Sequence, residues 1–454
     1  MTQTTTPATS ARPPDGRPSP DVDQAASGAS QPMSASAAGR RVRGRLGRAF
    51  EGTPGRLRTA AIVGVLVTLV FAAVGANAFR TRADALDDAR NSAGQLVRVQ
   101  QIATDLVRAD SLVTNAFLQG QQSGSAGGAG YQAAITDASK LLAEAAQAQP
   151  GDAQALAAVN DSLTKYTAAI ARAQATNAQG FQVGQAYLRQ ASNLLRVPTA
   201  TQPAMLPTLK AVVAADAGRV DDAFAAFNRA SLVLALSGLL VFGGLLGVQL
   251  WLARRTRRVF NLPLTFGTAV VVVSLVLGGL TMIFTQSSVD TVRDTDYAAT
   301  RALSEARIAA FDAKSNESLA LVDQSAAADY ETKYQNQIRI AHDELAAAAE
   351  AGAGNAGRTE FETWTTTHQG IRAADSRGNW NAAVQIATGQ SNQRFKAFDE
   401  TSGSALTAEA QQVADNLGSP HVVLVILGWL TLALGLIAAI AAWLGVTQRL
   451  EEYR

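Results

Sequence analysis

Five charged side chains have the chemistry to grasp a ligand that looks like an amino acid. Arg98, Arg108 and Asp110 lie in one part of the chain, Arg307 and Glu317 in another. A guanidinium fork pairs a carboxylate through two parallel N–H donors, and a carboxylate answers an ammonium group. Glu317 is the most informative of the five. It continues the stripe of Ala306, Ala310 and Ala313, which places it on the inner face of a helix. The competing expectation is that all five are ordinary solvated helix charges. A second basic group, Arg254, Arg255, Arg257 and Arg258, sits in a gap of about ten residues between two long apolar runs. It could dock a cytoplasmic partner, or it could simply pair with anionic lipid.

Catalytic chemistry finds little to work with. The chain has no cysteine, which removes disulfide scaffolds, thiolate–zinc sites and cysteine nucleophiles. His342, His368 and His421 are scattered and make no metal-ligand spacing. The run "GAGNAG" at 352–357 fits G-x-G-x-x-G letter by letter. It follows the alanine-rich helical run "HDELAAAAEA" instead of a strand, so a turn between helices is expected there, not a nucleotide site. No Ser/His/Asp set or carboxylate pair stands out. Neither an enzyme nor a cofactor is expected.

The elements that carry these residues are set by four apolar blocks, 60–78, 231–252, 262–284 and 422–444, none of which contains a charged side chain. Each approaches the ~20 residues needed to cross a hydrocarbon core. The sequence "ANAF" after the first block has a signal-cleavage look, but about 58 residues precede that block and its apolar run is too long for a signal peptide. Four membrane spans are therefore expected. Arg40, Arg41, Arg43, Arg45, Arg48, Arg56 and Arg58 crowd the first span on its N-terminal side, and Arg449 follows the last. Positive residues beside short loops stay cytoplasmic, which puts both termini inside. The expected layout is a basic cytoplasmic tail at 1–58, spans at 59–79, 230–252, 262–284 and 422–444, external segments at 80–229 and 285–421, and cytoplasmic pieces at 253–261 and 445–454. Residues 1–39 hold six of the thirteen prolines and few bulky apolar residues, so they lack the surface to fold alone.

Both external segments read as helix. Leu96, Val99, Ile102, Leu106, Ala109, Leu112 and Ala116 form an amphipathic stripe in the first, and Ala299, Leu303, Ala306, Ala310 and Ala313 do so in the second. Breaks at 120–130, 149–152, 197–207 and 351–357 leave about four helices in each segment, the outer ones continuous with the spans. The fold class expected is all-α: four transmembrane helices and two tandem four-helix bundles. The halves also match each other. Tyr166 is followed fourteen residues later by Gly180, and Trp364 likewise by Gly378, before a helix returns to the membrane. Both halves start inside, so this is a parallel repeat. Gly243 and Gly247 lie four apart, a spacing that permits close helix contact in lipid.

The aromatic, the helix after it and the glycine turn near Gly180 and Gly378, which reads Gly-x-x-x-Ala at Gly378, resemble the four-helix-bundle sensor domains of bacterial chemoreceptors and sensor kinases. Those receptors pair two chains, whereas this one looks like such a dimer fused into a single chain. It departs from them inside, with no HAMP-like linker, kinase histidine motif or methylated coiled coil. The architecture is similar to a family of actinobacterial membrane proteins encoded with a glutamine-binding lipoprotein and protein kinase G. That resemblance implies relay of amino-acid availability from an extracytoplasmic solute-binding lipoprotein to a cytoplasmic serine/threonine kinase. It carries over no site residues. A transport component and a passive envelope scaffold are the alternatives. Transport needs polar groups near the bilayer midplane, and the spans offer only Ser, Thr and Gly, with Gln249 near an end. Nucleic acid is not implied, because the basic excess lies beside the membrane.

Overall fold

The computed structural model describes residues 53–119, 126–177, 181–256 and 262–451, and among them every regular element is helical. The first segment is built from α1 (Thr53–Leu118), α2 (Ala126–Ala148), α3 (Ala153–Asn177), α4 (Phe181–Arg196) and α5 (Met205–Thr256). The second contains α6 (Leu262–Val292), α7 (Ala298–Val322), α8 (Ala327–Ala348), α9 (Arg358–Ser376), α10 (Trp380–Ile386) and α11 (Asn392–Glu451). Single wide turns at Arg293–Tyr297 and Ala387–Ser391 join α6 to α7 and α10 to α11 without breaking the rod.

Most of the expected breaks are present. Pro150 opens a tight turn at Pro150–Asp152. Pro198 and Pro203 flank the gap between α4 and α5, and Pro207 sits in the first turn of α5, where a missing N–H costs nothing. That gap was expected; the unexpected division is that Ala153–Asn177 and Phe181–Arg196 are separate helices, so the first segment holds five helices instead of four. The expected break at 120–130 is shorter than read, because α2 already begins at Ala126; residues 120–125 lie outside the described ones. The "GAGNAG" run is a turn between α8 and α9, with Gly352, Gly354 and Gly357 at φ of 109°, 65° and 90°. At Gly357 a Cβ would also stand 3.3 Å from Phe398 and Ser402, so glycine is required twice over. Gly378 turns at φ 74°, while its counterpart Gly180 lies outside the described residues, as do Arg257, Arg258 and the tail up to residue 52.

Four helices are long and apolar enough to cross a membrane, so the chain is a multi-pass membrane protein. Phe71, Val241, Leu245, Val271 and Ala438, drawn from α1, α5, α6 and α11, pack into one cluster within the spans. Leu239, Leu240, Ile283 and Ile440 point outward, the pattern expected of a surface that faces lipid tails instead of water. Close approach comes from Gly435, where a Cβ would overlap the Cβ of Ala72, and not from Gly243 and Gly247, beside which nothing lies within 4 Å. A second cluster, including Phe79, Leu86, Phe227, Val289 and Leu417, continues the four-helix arrangement above the spans. There the fully buried Arg82 donates to the Thr285 hydroxyl at 3.0 Å, with its guanidinium 4.0 Å from the centre of the Phe227 ring.

Further out, one hydrophobic core runs through both external segments, from Val99, Ile102 and Leu106 to Leu303, Ala310 and Trp364. The α1 stripe drifts as it climbs. Leu96 through Ala109 are buried as expected, but Leu112 and Ala116 are only half-buried, and Val113 and Phe117 replace them. Helix α7 is buried around nearly its whole circumference, charged residues included. That is why no single stripe describes it: it packs on α8 and α11 on one side and meets the first segment on the other.

Candidate functional site

The polar groups that link the segments gather around Asp110. This carboxylate is fully buried and accepts from Tyr166 (3.3 Å), Ser192 (3.3 Å), Arg196 Nη1 (2.8 Å) and, from the second segment, Ser315 (2.6 Å). Arg196 reaches it because α4 carries Leu188, Ala191 and Leu195 on its buried face, which holds the next residue at the seam. The same guanidinium donates from Nε to Asp312 of α7 at 2.5 Å. Burial works against the charge of Arg196, but Asp312 and Asp110 outweigh it and hold the group above its usual pKa. Burial, with Asp110 beside it, pushes the Tyr166 hydroxyl well up, so it stays a donor.

A second node lies wholly in the second segment. The Lys314 ammonium is buried and donates to Glu317 (2.5 Å), Ser391 (2.9 Å) and the Ala387 carbonyl (3.2 Å), which uses all three of its protons. Glu317 accepts from Lys314 and Ser391 on one oxygen and faces His368 Nδ1 at 3.1 Å with the other. His368 stacks on Tyr334 with ring centres 3.7 Å apart and turns Nε2 to Glu331 at 3.0 Å. With a carboxylate at each ring nitrogen, only the imidazolium satisfies both. Burial opposes that charge, but the hydrogen bonds to Glu317 and Glu331 prevail and raise the pKa. For Glu317, burial is likewise outweighed by Lys314 and His368, and its pKa falls to about 2.

The two nodes correspond. Each has a buried carboxylate on the first long helix of its segment, Asp110 or Glu317, in contact with a serine from the returning helix, Ser192 or Ser391. The paired aromatics of the repeat complete them: Tyr166 bonds Asp110, and Trp364 Nε1 donates to Ser391 at 3.1 Å. Ion pairs also join the segments. Arg196 of α4 meets Asp312 of α7, while Arg108 of α1 meets Asp399 of α11 at 3.6 Å; in these two the arginine comes from the first segment and the aspartate from the second. Asn115 and Asn392 add a hydrogen bond at the second of these seams.

The five ligand candidates thus fall in different places. Asp110 and Glu317 centre the two nodes, with their oxygens occupied by protein donors. Arg307 is buried and bound to Asp399 and Ser402, and Arg108 is half-exposed on the same Asp399. Arg98 is half-buried and bonds Gln95 at 2.6 Å, in a separate cleft of about 760 Å3 that also includes Arg219 and Asp222. Of the basic gap, Arg254 is exposed at the end of α5, and Arg255 belongs to the same helix. Lys314, His368, Arg196 and Asp312 went unselected by sequence. Asp110 and Arg196 are 86 residues apart and neither marks a motif, so only the fold joins them.

Between the segments, beside Arg196, lies a cleft of about 560 Å3. Its polar end is formed by Gln100, Arg196, Asp312 and Asn316, and its body by apolar residues that include Leu206, Leu209, Val213 and Ile308.

The chain is thus an all-α multi-pass membrane protein with a buried polar seam between two helical segments. Residues 85–225 match the family model of the actinobacterial sensor domain, a range that covers the first segment from α1 to α5 and holds Asp110 and Arg196. The match supports a sensor protein of the actinobacterial kind. No curated protein and no solved structure matches the chain.

Proposed function

We propose that this chain is a transmembrane transducer, itself without enzymatic activity, that relays extracellular amino-acid availability to a cytoplasmic serine/threonine kinase or its adaptor. The signal is delivered by a solute-binding lipoprotein that docks on the external segments. Both termini and the Arg254–Arg258 gap face the cytoplasm, and that gap, with the basic tail before it, receives the kinase. The external segments act as a parallel repeat, two bundles that form a pseudo-dimer in one chain.

The observation that carries the reading is the shared seam. Arg196 ties Asp110 to Asp312 across the segments, and the long helices α1, α5, α6/α7 and α11 run from that seam into the spans without a break. A shift between the segments therefore has a rigid path to the inner surface, as in two-state sensors whose input biases one of two packings. The corresponding nodes around Asp110 and Glu317 support the repeat.

The test removes the chain from its native cells and measures cytoplasmic serine/threonine phosphorylation after an external amino-acid shift. The response is expected to vanish and to return with the intact gene. A response that survives the deletion contradicts the relay. Topology is tested with Ser376→Cys and Thr256→Cys, clean probes in a cysteine-free chain. An impermeant maleimide should label the first in intact cells and leave the second unmodified; labelling at position 256 would reverse the orientation.

A further inference from the structure

Three side chains at the polar end of the inter-segment cleft have unused hydrogen-bonding atoms. Gln100 is 1 % exposed, and neither its Oε1 nor its Nε2 has a partner. Asn316 is also 1 % exposed; its Nδ2 donates to the Asp312 carbonyl at 2.8 Å, while its Oδ1 is unpartnered. Arg196 uses Nε and Nη1 on its aspartates and leaves Nη2 free. They come from three helices, α1, α7 and α4, and all line the one cleft. An unmet buried polar group is costly, so a cluster of them on one cavity wall is a wall made to be met.

The donors and acceptors specify the head of the ligand. Arg196 Nη2 and Gln100 Nε2 offer N–H groups to an anionic acceptor, and a guanidinium favours a carboxylate. Gln100 Oε1 and Asn316 Oδ1 require a donor in return. The rest of the wall specifies the body. Leu206, Pro207, Leu209, Val213 and Ile308 are apolar, and Lys210, Lys333 and Glu305 bring charges of both signs to the lining. A cleft of about 560 Å3 holds far more than a bare headgroup.

We propose that this cleft binds a small carboxylate with an N–H or O–H donor beside it on a bulky apolar body, that is, an α-amino or α-hydroxy acid with an apolar side chain. A molecule seated there touches both segments at once, and its binding would bias the Arg196 seam. The site deepens the sensor reading and rests on it for its physiological meaning, but the binding itself is independent of any relay.

The test is calorimetric titration of the purified full-length chain in nanodiscs with L-phenylalanine, phenyllactate and L-glutamate. Phenylalanine or phenyllactate should bind, and glutamate should bind at least about tenfold more weakly, because its second carboxylate would be desolvated on an apolar wall. Gln100→Leu and Asn316→Leu should each weaken binding about tenfold, the effect of one lost hydrogen bond. Val213→Trp, at a half-buried position that tolerates bulk, should block the cleft with helicity unchanged by circular dichroism. The proposal fails if neither apolar probe binds below about 10 mM, if glutamate binds as well as they do, or if all three variants bind like the parent. Loss of binding in Gln100→Leu with intact cellular relay would leave the site standing and remove its place in the sensor. Binding-competent protein with no relay would sink the sensor reading alone.

Discussion

Replacing Arg196 with leucine is the perturbation whose consequence the structure fixes best. The side chain is 14 % exposed and stands between Asp110, which is fully buried, and Asp312, which is 9 % exposed. Removing one partner of a buried ion pair typically costs 3–5 kcal/mol, because the charge left behind is neither hydrated nor paired. Here Asp110 keeps three hydroxyl donors, Tyr166, Ser192 and Ser315, which softens its loss, whereas among the described residues no other side chain donates to the Asp312 carboxylate. The expected destabilisation is therefore at the lower end, about 3 kcal/mol, or roughly 5–10 °C in melting temperature for a domain of this size. Arg108→Leu is the internal control. Its pair with Asp399 is also inter-segment, but Arg108 is 46 % exposed, so its loss should cost less than about 1 kcal/mol. Adding Asp312→Asn to Arg196→Leu should recover part of the loss, since it removes the orphaned charge. The assay is thermal unfolding of the full chain in detergent, followed by circular dichroism. Equal shifts for Arg196→Leu and Arg108→Leu would refute the claim that the Arg196 bridge holds the segments together.

Other consequences can be checked in the same preparation. His368 has its folded pKa raised by Glu317 and Glu331, so its contribution is complete below the unfolded value of about 6.5 and is lost as pH rises through the folded pKa. Stability should thus decline from near neutrality upward. His368→Gln should flatten that part of the curve, and an unchanged slope would contradict the imidazolium assignment. Glu317, held at about 2, acts in the opposite direction, stabilising above the unfolded pKa and losing its effect only in strong acid. Within the membrane, Gly435→Val should force α1 and α11 apart at Ala72 and lower the melting temperature, whereas Gly247→Val, with no neighbour within 4 Å, should leave it nearly unchanged.

The helical character, the four apolar spans and the positions of most breaks were legible because each rests on local chemistry: apolar length, proline and glycine. Asp110 was chosen from sequence as a candidate ligand group and Glu317 as a charge on a helical stripe, and each is the buried carboxylate of a node. What the stripe could not reveal is that α7 has almost no solvent face. Periodicity marks the side of a helix that is buried, and a helix enclosed by two segments has no other side to contrast with it. Lys314 and Asp312 therefore went unselected, although each is buried and paired, while His368 on α9 was weighed only for metal-ligand spacing. Gly243 and Gly247 failed as a contact for a related reason: small size permits close packing but does not say which face of the helix will meet a neighbour.

One chain supplies both helical segments of a single unit, packed on a common core. Asn115 and Asn392 are 277 residues apart yet share a hydrogen bond. With no native cysteine, Asn115→Cys and Asn392→Cys can be joined specifically by a short bismaleimide in native membranes. The double variant should crosslink efficiently at the mass of one chain, and the two single variants, co-expressed, should not crosslink to each other. A product found only at twice that mass, or found between the co-expressed single variants, would mean that the segments pair with another molecule and that the fused unit does not exist.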